Sequence, residues 1–410
     1  MKTIHTSYTY QSPAHVMTTE IKESVNPTDG KVIVESRPKI LVLTPDLRNI
    51  CGVSNYFNTI NLDENIRGLH YFFVNTIDKE NSFLKLKRLF VNYWVFMKKL
   101  RREKYDLIHI NPSLNTNSFL RDGIFCLITI LFEVKFIIFF RGWEDKFEEK
   151  LGKSFLLKLL FNHSYRRCTN FIILGQSFKD KLIRLGVDRW RTNFWIESTV
   201  ANSAYLSELS LENKFRSYEG EINVLFLSRI VKSKGTVTAI DAFDIVRKNL
   251  PHLKIKLIIA GDGDELTAVK EHVENNKVAS VYFLGFVKGE AKKEVLLNSH
   301  ILLFPTVYGE GLPNCILEAM LYGMPVISRY NGAISDVVTH EENGFLTDSI
   351  DPVVFSDFLK RLIEDRELYQ KIATNNHLKA LESFTKEKVK NRVLGIYNGL
   401  LENKKEKYYA

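Results

Sequence analysis

A chain of 410 residues is too long for one hydrophobic core, so two domains are expected. Its 45% hydrophobic and 26% charged residues suit a globular protein and exclude a disordered or fibrous one. The formal charge of +9 lies in the first half, because residues 1–210 sum to about +9 and residues 211–410 to about zero; the first half therefore faces something anionic.

Residues 1–38 are rich in Ser, Thr, His and Lys and lack the apolar run of a signal peptide, so they read as an N-terminal extension. From "KILVLTP" (39–45) onward, short apolar strands such as "YDLIHINP" and "VKFIIFFRG" alternate with helical patterns. The apolar stretch 123–140 is broken by Glu133 and Lys135, too short for a membrane span of about 20 residues. It reads as a core helix followed by a buried strand. After a polar stretch at 207–220, the expected linker, the alternation restarts with "INVLFLSR" and continues to "GFLTD". Strand–helix alternation in two blocks predicts an α/β protein with two Rossmann-like, doubly wound domains facing across a cleft. The expected boundaries are 39–206 for the first domain and 221–382 for the second, with a helix over 383–402 returning to the first. Four scattered cysteines, Cys51, Cys126, Cys168 and Cys315, fit no disulfide or metal spacing and suit a reducing, cytoplasmic compartment.

Chemistry concentrates in the second block. Arg229 and Lys234 follow a buried strand and precede a helix, where phosphate oxygens meet backbone N–H groups and a helix dipole. "FLSRIVKSKG" stands where a dinucleotide-binding fold would carry GxGxxG, which argues against a nicotinamide or flavin enzyme. Further on, "YGEGLPNCILEAMLYGMPVIS" holds two carboxylates eight residues apart: Glu310 in a loop, and Glu318 among Ile316, Leu317, Ala319 and Met320. Pro313 suits a helix start and Gly323 its end. Carboxylates repel phosphate and bind hydroxyls, as charge-assisted acceptors worth about 1.5–3 kcal/mol each. A diphosphate flanked by polyols, that is a nucleotide sugar, would use all four residues. Glu318 would accept from ribose hydroxyls and Glu310 from the transferred sugar.

These residues resemble the retaining, GT-B-fold glycosyltransferases of family 4 (glycosyl transferases group 1). The E-x7-E pair is Glu310 to Glu318, the basic pair is Arg229 and Lys234, and "GDGDE" (261–265), "FLGFV" (283–287), "MPVIS", "GAISDVV" and "ENGFL" follow in order. The resemblance implies a donor site of Gly52, Arg229, Lys234, Gly261, Phe286, Val287, Glu310, Gly311, Leu312, Asn314 and Glu318. Phe286 and Val287 would offer backbone groups to the base. In the first block only Gly52 remains of a Gly-Gly turn, and Arg141 stands before Gly142 where many members have His. Arg cannot act as a general base. Since the departing diphosphate is thought to serve as base in such enzymes, Arg141 is expected to stabilise the leaving group. His109 reads as a satisfied core histidine. Trp143, Glu144 and Asp145 are the acceptor-side candidates. The Asp-x-Asp of "GDGDE" opens a helix, where acids suit the dipole; no metal and no cofactor are expected.

The stretch 82–105 places Phe83, Leu86, Phe90, Trp94, Met97 and Leu100 near one face, flanked by Lys85, Lys87, Arg88, Lys98, Lys99, Arg101 and Arg102. It reads as a core stripe with a solvated edge, or as a surface for an anionic bilayer. Nothing suggests a base-reading element, so nucleic acid is not expected. The sequence thus points to a metal-independent retaining hexosyltransferase. It would move a sugar from a nucleotide sugar to a glycan or polyprenol-linked acceptor in cell-surface polysaccharide, lipopolysaccharide or glycoconjugate synthesis. The expected place is the cytoplasm, peripheral at the inner membrane face. A nucleotide-sugar epimerase on the same fold and a non-catalytic nucleotide-sugar-binding scaffold are the alternatives.

Overall fold

The computed structural model describes residues 38–49, 51–74, 82–307 and 309–402; the N-terminal extension expected over 1–38 lies almost wholly outside them. Strands β1 (Ile40–Thr44), β2 (Leu69–Phe73), β3 (Leu107–Ile110), β4 (Phe136–Phe139), β5 (Asn170–Ile173) and β6 (Asn193–Ile196) form one parallel sheet in the order β2-β1-β3-β4-β5-β6. Strands β7 (Ile222–Leu227), β8 (Ile255–Ala260), β9 (Val281–Gly285), β10 (Ile301–Phe304), β11 (Val326–Arg329) and β12 (Gly344–Thr347) form a second, β12-β11-β10-β7-β8-β9. The continuous apolar strands arise because helices cover both sheet faces: every residue of β3, β4 and β10 is buried.

The helices of the first unit are α1 (Gly52–Ile60), α2 (Ser82–Arg102), α3 (Thr116–Leu131), α4 (Asp145–Lys153), α5 (Phe155–His163) and α6 (Gln176–Arg184). Those of the second are α7 (Leu211–Gly220), α8 (Thr236–Asn249), α9 (Leu266–Asn275), α10 (Gly289–Asn298), α11 (Asn314–Leu321), α12 (Ile334–Val337), α13 (Pro352–Glu364) and α14 (Arg366–Ser383). Helix α15 (Lys386–Glu402) packs back on α1. There Arg392 grips the buried Glu197 with two nitrogens and Tyr397 meets His109 Nδ1 at 2.5 Å. Strand order reverses beside β1 in the first sheet and beside β7 in the second. Ligand crevices open at such reversals, beyond the strands' carboxyl ends.

Two expectations need correction. Residues 207–220 are not a polar linker: most of them form α7, which packs beside β7. Its Lys214 is buried and donates to the carbonyls of Leu296, Ser299 and Tyr322 at 3.1, 2.7 and 2.7 Å. The chain instead crosses at about 197–206 and again near 384, where Ala201 N–H donates to Phe384 O at 2.9 Å. Nor does the stripe of α2 face the core throughout, since Phe83, Phe90 and Trp94 are 72%, 65% and 58% exposed. Tyr93, Phe96 and Leu100 anchor that helix instead. Among the described residues no helix is long and apolar enough to cross a membrane.

Lys214→Met would keep the stem of the side chain but leave three buried carbonyls without a donor. At about 1–3 kcal/mol each, a loss of at least about 3 kcal/mol is expected in chemical denaturation. An unchanged midpoint would show that water replaces the ammonium.

Candidate active site

The site begins where β7 ends. Lys232–Lys234 makes one 3-10 turn, and Gly235 closes it at φ 78°, a conformation that favours glycine. A Cβ there would lie 2.3 Å from Pro305 O, so the turn sits directly on the end of β10. Val307 N–H donates to Ser233 O at 2.8 Å. This contact carries Lys234 inward, where its Nζ lies 2.5 Å from Glu310 Oε1. The Thr306 hydroxyl donates to the same oxygen at 2.9 Å. Both charged side chains are about 92% buried (8% exposed each). Arg229, by contrast, is exposed.

Glu310 sits in the loop between β10 and α11. Pro313 is the cap residue of α11 and Asn314 its first helical residue. Among the described residues no hydrogen bond takes up the N–H of Gly311, Leu312 or Asn314, so three donors converge at the helix start. Leu312 is buried, and its carbonyl accepts from the Thr199 hydroxyl of the first unit at 3.1 Å. Glu318, 2% exposed, is paired with Lys292 of α10 at 2.6 Å. Cys315 lies in the field of both pairs; burial pushes its thiol up to about 12, so it is no thiolate nucleophile.

The remaining donor candidates divide. Phe286 is half exposed after β9 and Val287 is buried beside it. Gly261 is explained by packing, since a Cβ would lie 1.8 Å from Ser228 O. Gly52 is the first residue of α1, and a Cβ on it would meet nothing within 4 Å. The first unit approaches the second through backbone: Cβ atoms on Gly309 and Gly311 would lie 2.5 Å from Trp143 O and 2.2 Å from Arg141 O. Asp336 accepts from Gln176 N–H and the Ser177 hydroxyl at 2.7 and 3.1 Å.

The Arg141 guanidinium does not join this cluster. Among the described contacts its carbonyl, not its side chain, meets the 309–311 loop. Its Nε donates to Asn111 at 2.9 Å, and its plane lies over the rings of Tyr56 and Phe139 at 4.0 and 3.5 Å. Burial lowers it to about 10, with the Tyr56 phenol supporting the charge; Nη1 and Nη2 have no acceptor in hydrogen-bond geometry. Trp143 is likewise a core side chain, 2% exposed, donating to Glu148. Glu144 caps α4, and Asp145 is exposed and pairs with Lys181. His109 is buried in β3 and burial holds it well below its usual range, which removes it as a base. The sequence reading missed Lys292, Thr306 and Thr199. Lys292 lies 26 residues before Glu318, in a helix with no motif to mark it.

Residues 208–406 match the model of the glycosyl transferases group 1. An N-acetyl-alpha-D-glucosaminyl L-malate synthase of Bacillus anthracis is 28% identical over 48% of this chain and 50% of its own length. The capsular polysaccharide biosynthesis glycosyltransferase CapM of Staphylococcus aureus is 24% identical over 62% of this chain and 68% of its own. The chain thus spans about half the length of the first curated relatives it matches. Anabaena HepE, solved with UDP and glucose, superposes with a TM-score of 0.66 at 16% identity, over 88% of this chain and 100% of HepE. A sucrose-phosphate synthase from Thermosynechococcus elongatus gives 0.69 at 16% identity, over 90% and 100%. The fold is GT-B. Over residues 208–406, just under half of its length, the chain is similar to the glycosyl transferases group 1.

Lys292→Ala would leave Glu318 buried without its cation, and breaking such a pair costs about 3–5 kcal/mol. The expected result is a lower Tm than in the double variant Lys292→Ala/Glu318→Ala. Equal melting of the two would mean the pair is solvated.

Proposed function

We propose that this chain transfers a sugar, with retention of anomeric configuration and without a metal, from a nucleotide-sugar diphosphate to a hydroxyl of a glycan or lipid-linked acceptor. The observation that carries the reading is the buried Lys234–Glu310 pair at the mouth of the second sheet's crevice. Beside it lie the exposed Arg229 and the open N–H groups of 311, 312 and 314.

In this reading Arg229, Lys234 and the start of α11 hold the diphosphate, and Glu310 accepts a hydroxyl of the transferred sugar. Glu318, oriented by Lys292, accepts from the ribose, and backbone groups of Phe286 and Val287 face the base. Gly52 admits the ligand close to the start of α1. The bond from C1 to the diphosphate oxygen breaks, the acceptor oxygen bonds to C1 on the same face, and its proton passes to the departing diphosphate. Preorganised positive charge at that oxygen accounts for rate; removing one such donor typically costs about 10²–10³. The similarity to CapM, a capsular polysaccharide biosynthesis glycosyltransferase, favours a polysaccharide acceptor.

The test is thermal stabilisation by UDP-, GDP- and ADP-sugars with EDTA present, followed by NMR of the product's anomeric proton. Donor at 100 times its Kd should add about 2.7 kcal/mol, lost in Glu318→Ala and Arg229→Ala, and the product should keep the donor's configuration. An inverted product, or equal shifts in the variants, would overturn the assignment. Absence of any acceptor-dependent nucleotide release would favour the epimerase or the scaffold. Arg141→Met removes a buried cation with unsatisfied nitrogens, so Tm should hold or rise while turnover falls. A fall in both would make Arg141 a structural residue.

A further inference from the structure

We propose that the outer face formed by α2, α3 and α5 seats on an anionic lipid bilayer. The three helices lie side by side, α2 touching α3 and α3 touching α5, with α3 against β3 of the first sheet. In α3, every exposed position from residue 120 to 131 is apolar: Leu120, Ile124, Leu127 and Leu131, the last 75% exposed. These recur at i, i+4, i+7 and i+11, a single stripe pointing away from the core. A helix apolar on both sides is ordinarily buried. On α5, Phe155 and Leu156 are 76% and 73% exposed. On α2, Phe90, Val91 and Trp94 continue the patch. These helices hold 14 of the 27 large apolar side chains exposed among the described residues, so the apolar surface is gathered here rather than scattered.

Charge decides the occupant. Helix α2 carries seven Lys and Arg and no Asp or Glu; Lys87 and Lys98 are exposed, Lys98 lying 4.9 Å over the Trp94 ring. Lys153 and Lys158 are exposed at α5. A second copy meeting this face about a two-fold axis would set these cations against one another. Residues 1–37 contain four basic and four acidic residues and offer no complementary charge. An anionic bilayer offers both acyl chains for the stripe and phosphate for the lysines. Placement agrees: α3 begins just past the Asn111 that binds Arg141, and Leu114 N–H donates to Gly142 O at 2.8 Å. The face therefore starts at the edge of the cleft, where an acceptor anchored in the same bilayer would present its head group.

The full chain would be sedimented with phosphatidylcholine vesicles containing or lacking phosphatidylglycerol. Binding is expected to the anionic vesicles, weakening as salt rises. Lys87→Gln and Lys98→Gln should each reduce it about fivefold, and Leu131→Glu and Phe155→Glu by about tenfold or more. All four should keep the wild-type stabilisation by nucleotide sugar, because none touches the donor site. Absence of binding, or binding untouched by the four variants, overturns the proposal. So does a wild-type dimer in light scattering that Leu131→Glu makes monomeric. Failure here would leave the donor site standing.

Discussion

The second unit is organised around one buried ion pair. Lys234 belongs to the connection after β7 and Glu310 to the one after β10, 76 residues apart, and neither charge can be hidden without the other. Their meeting obliges the two loops to lie against each other. Gly235 permits the approach to Pro305, and the Thr306 hydroxyl donates to the same carboxylate oxygen as Lys234. Because β7 and β10 flank the point where strand order reverses, the pair also marks the crevice. A cation already holding a carboxylate contributes less net field than a lone one, so the exposed Arg229 and the start of α11 supply much of the positive potential at the crevice mouth.

The two units meet through backbone, and this sets what kind of cleft they can make. Side chains at 309 and 311 would hold the domains apart; glycine lets the 309–311 loop touch the carbonyls of Trp143 and Arg141. Asp336 adds hydrogen bonds to the start of α6, and α15 ties the end of the chain to the first unit through Arg392 and Glu197. The crossings near 201 and 384 run together, so a hinge there would move two strands of chain at once. These contacts hold the two units against each other beside the crevice.

Much of the second unit was legible in the sequence, because its chemistry is local. A strand, a turn and a helix start bring Arg229 and Lys234 to the crevice, and Glu310 and Glu318 follow the same logic. What the sequence withheld were partners set by tertiary packing. Glu318 is neutralised by Lys292 from another helix, and 207–220 looked like a linker because the role of Lys214 depends on three carbonyls far along the chain. In the first unit, the acceptor-side candidate Trp143 turns its indole into the core, where Glu148 meets its N–H. The apolar run of α3 read as core because hydropathy shows that a face avoids water, not that protein covers it.

Arg141 illustrates the same limit at finer scale. Its position at the end of β4 was readable, and its distance from the basic pair along the chain gave no hint of where its side chain would turn. Rotamer and packing chose the rings of Tyr56 and Phe139 over the cleft, since a flat, weakly hydrated guanidinium stacks well on aromatic faces. Lowered to about 10, it still carries its charge at neutral pH. That charge lies against α1, whose first residue, Gly52, opens the first unit's side of the cleft. In a low-dielectric interior its field reaches farther than its hydrogen bonds. The first unit can thus contribute positive potential to the crevice from beneath its wall without placing a donor in it, and a histidine that is neutral at the same pH would not.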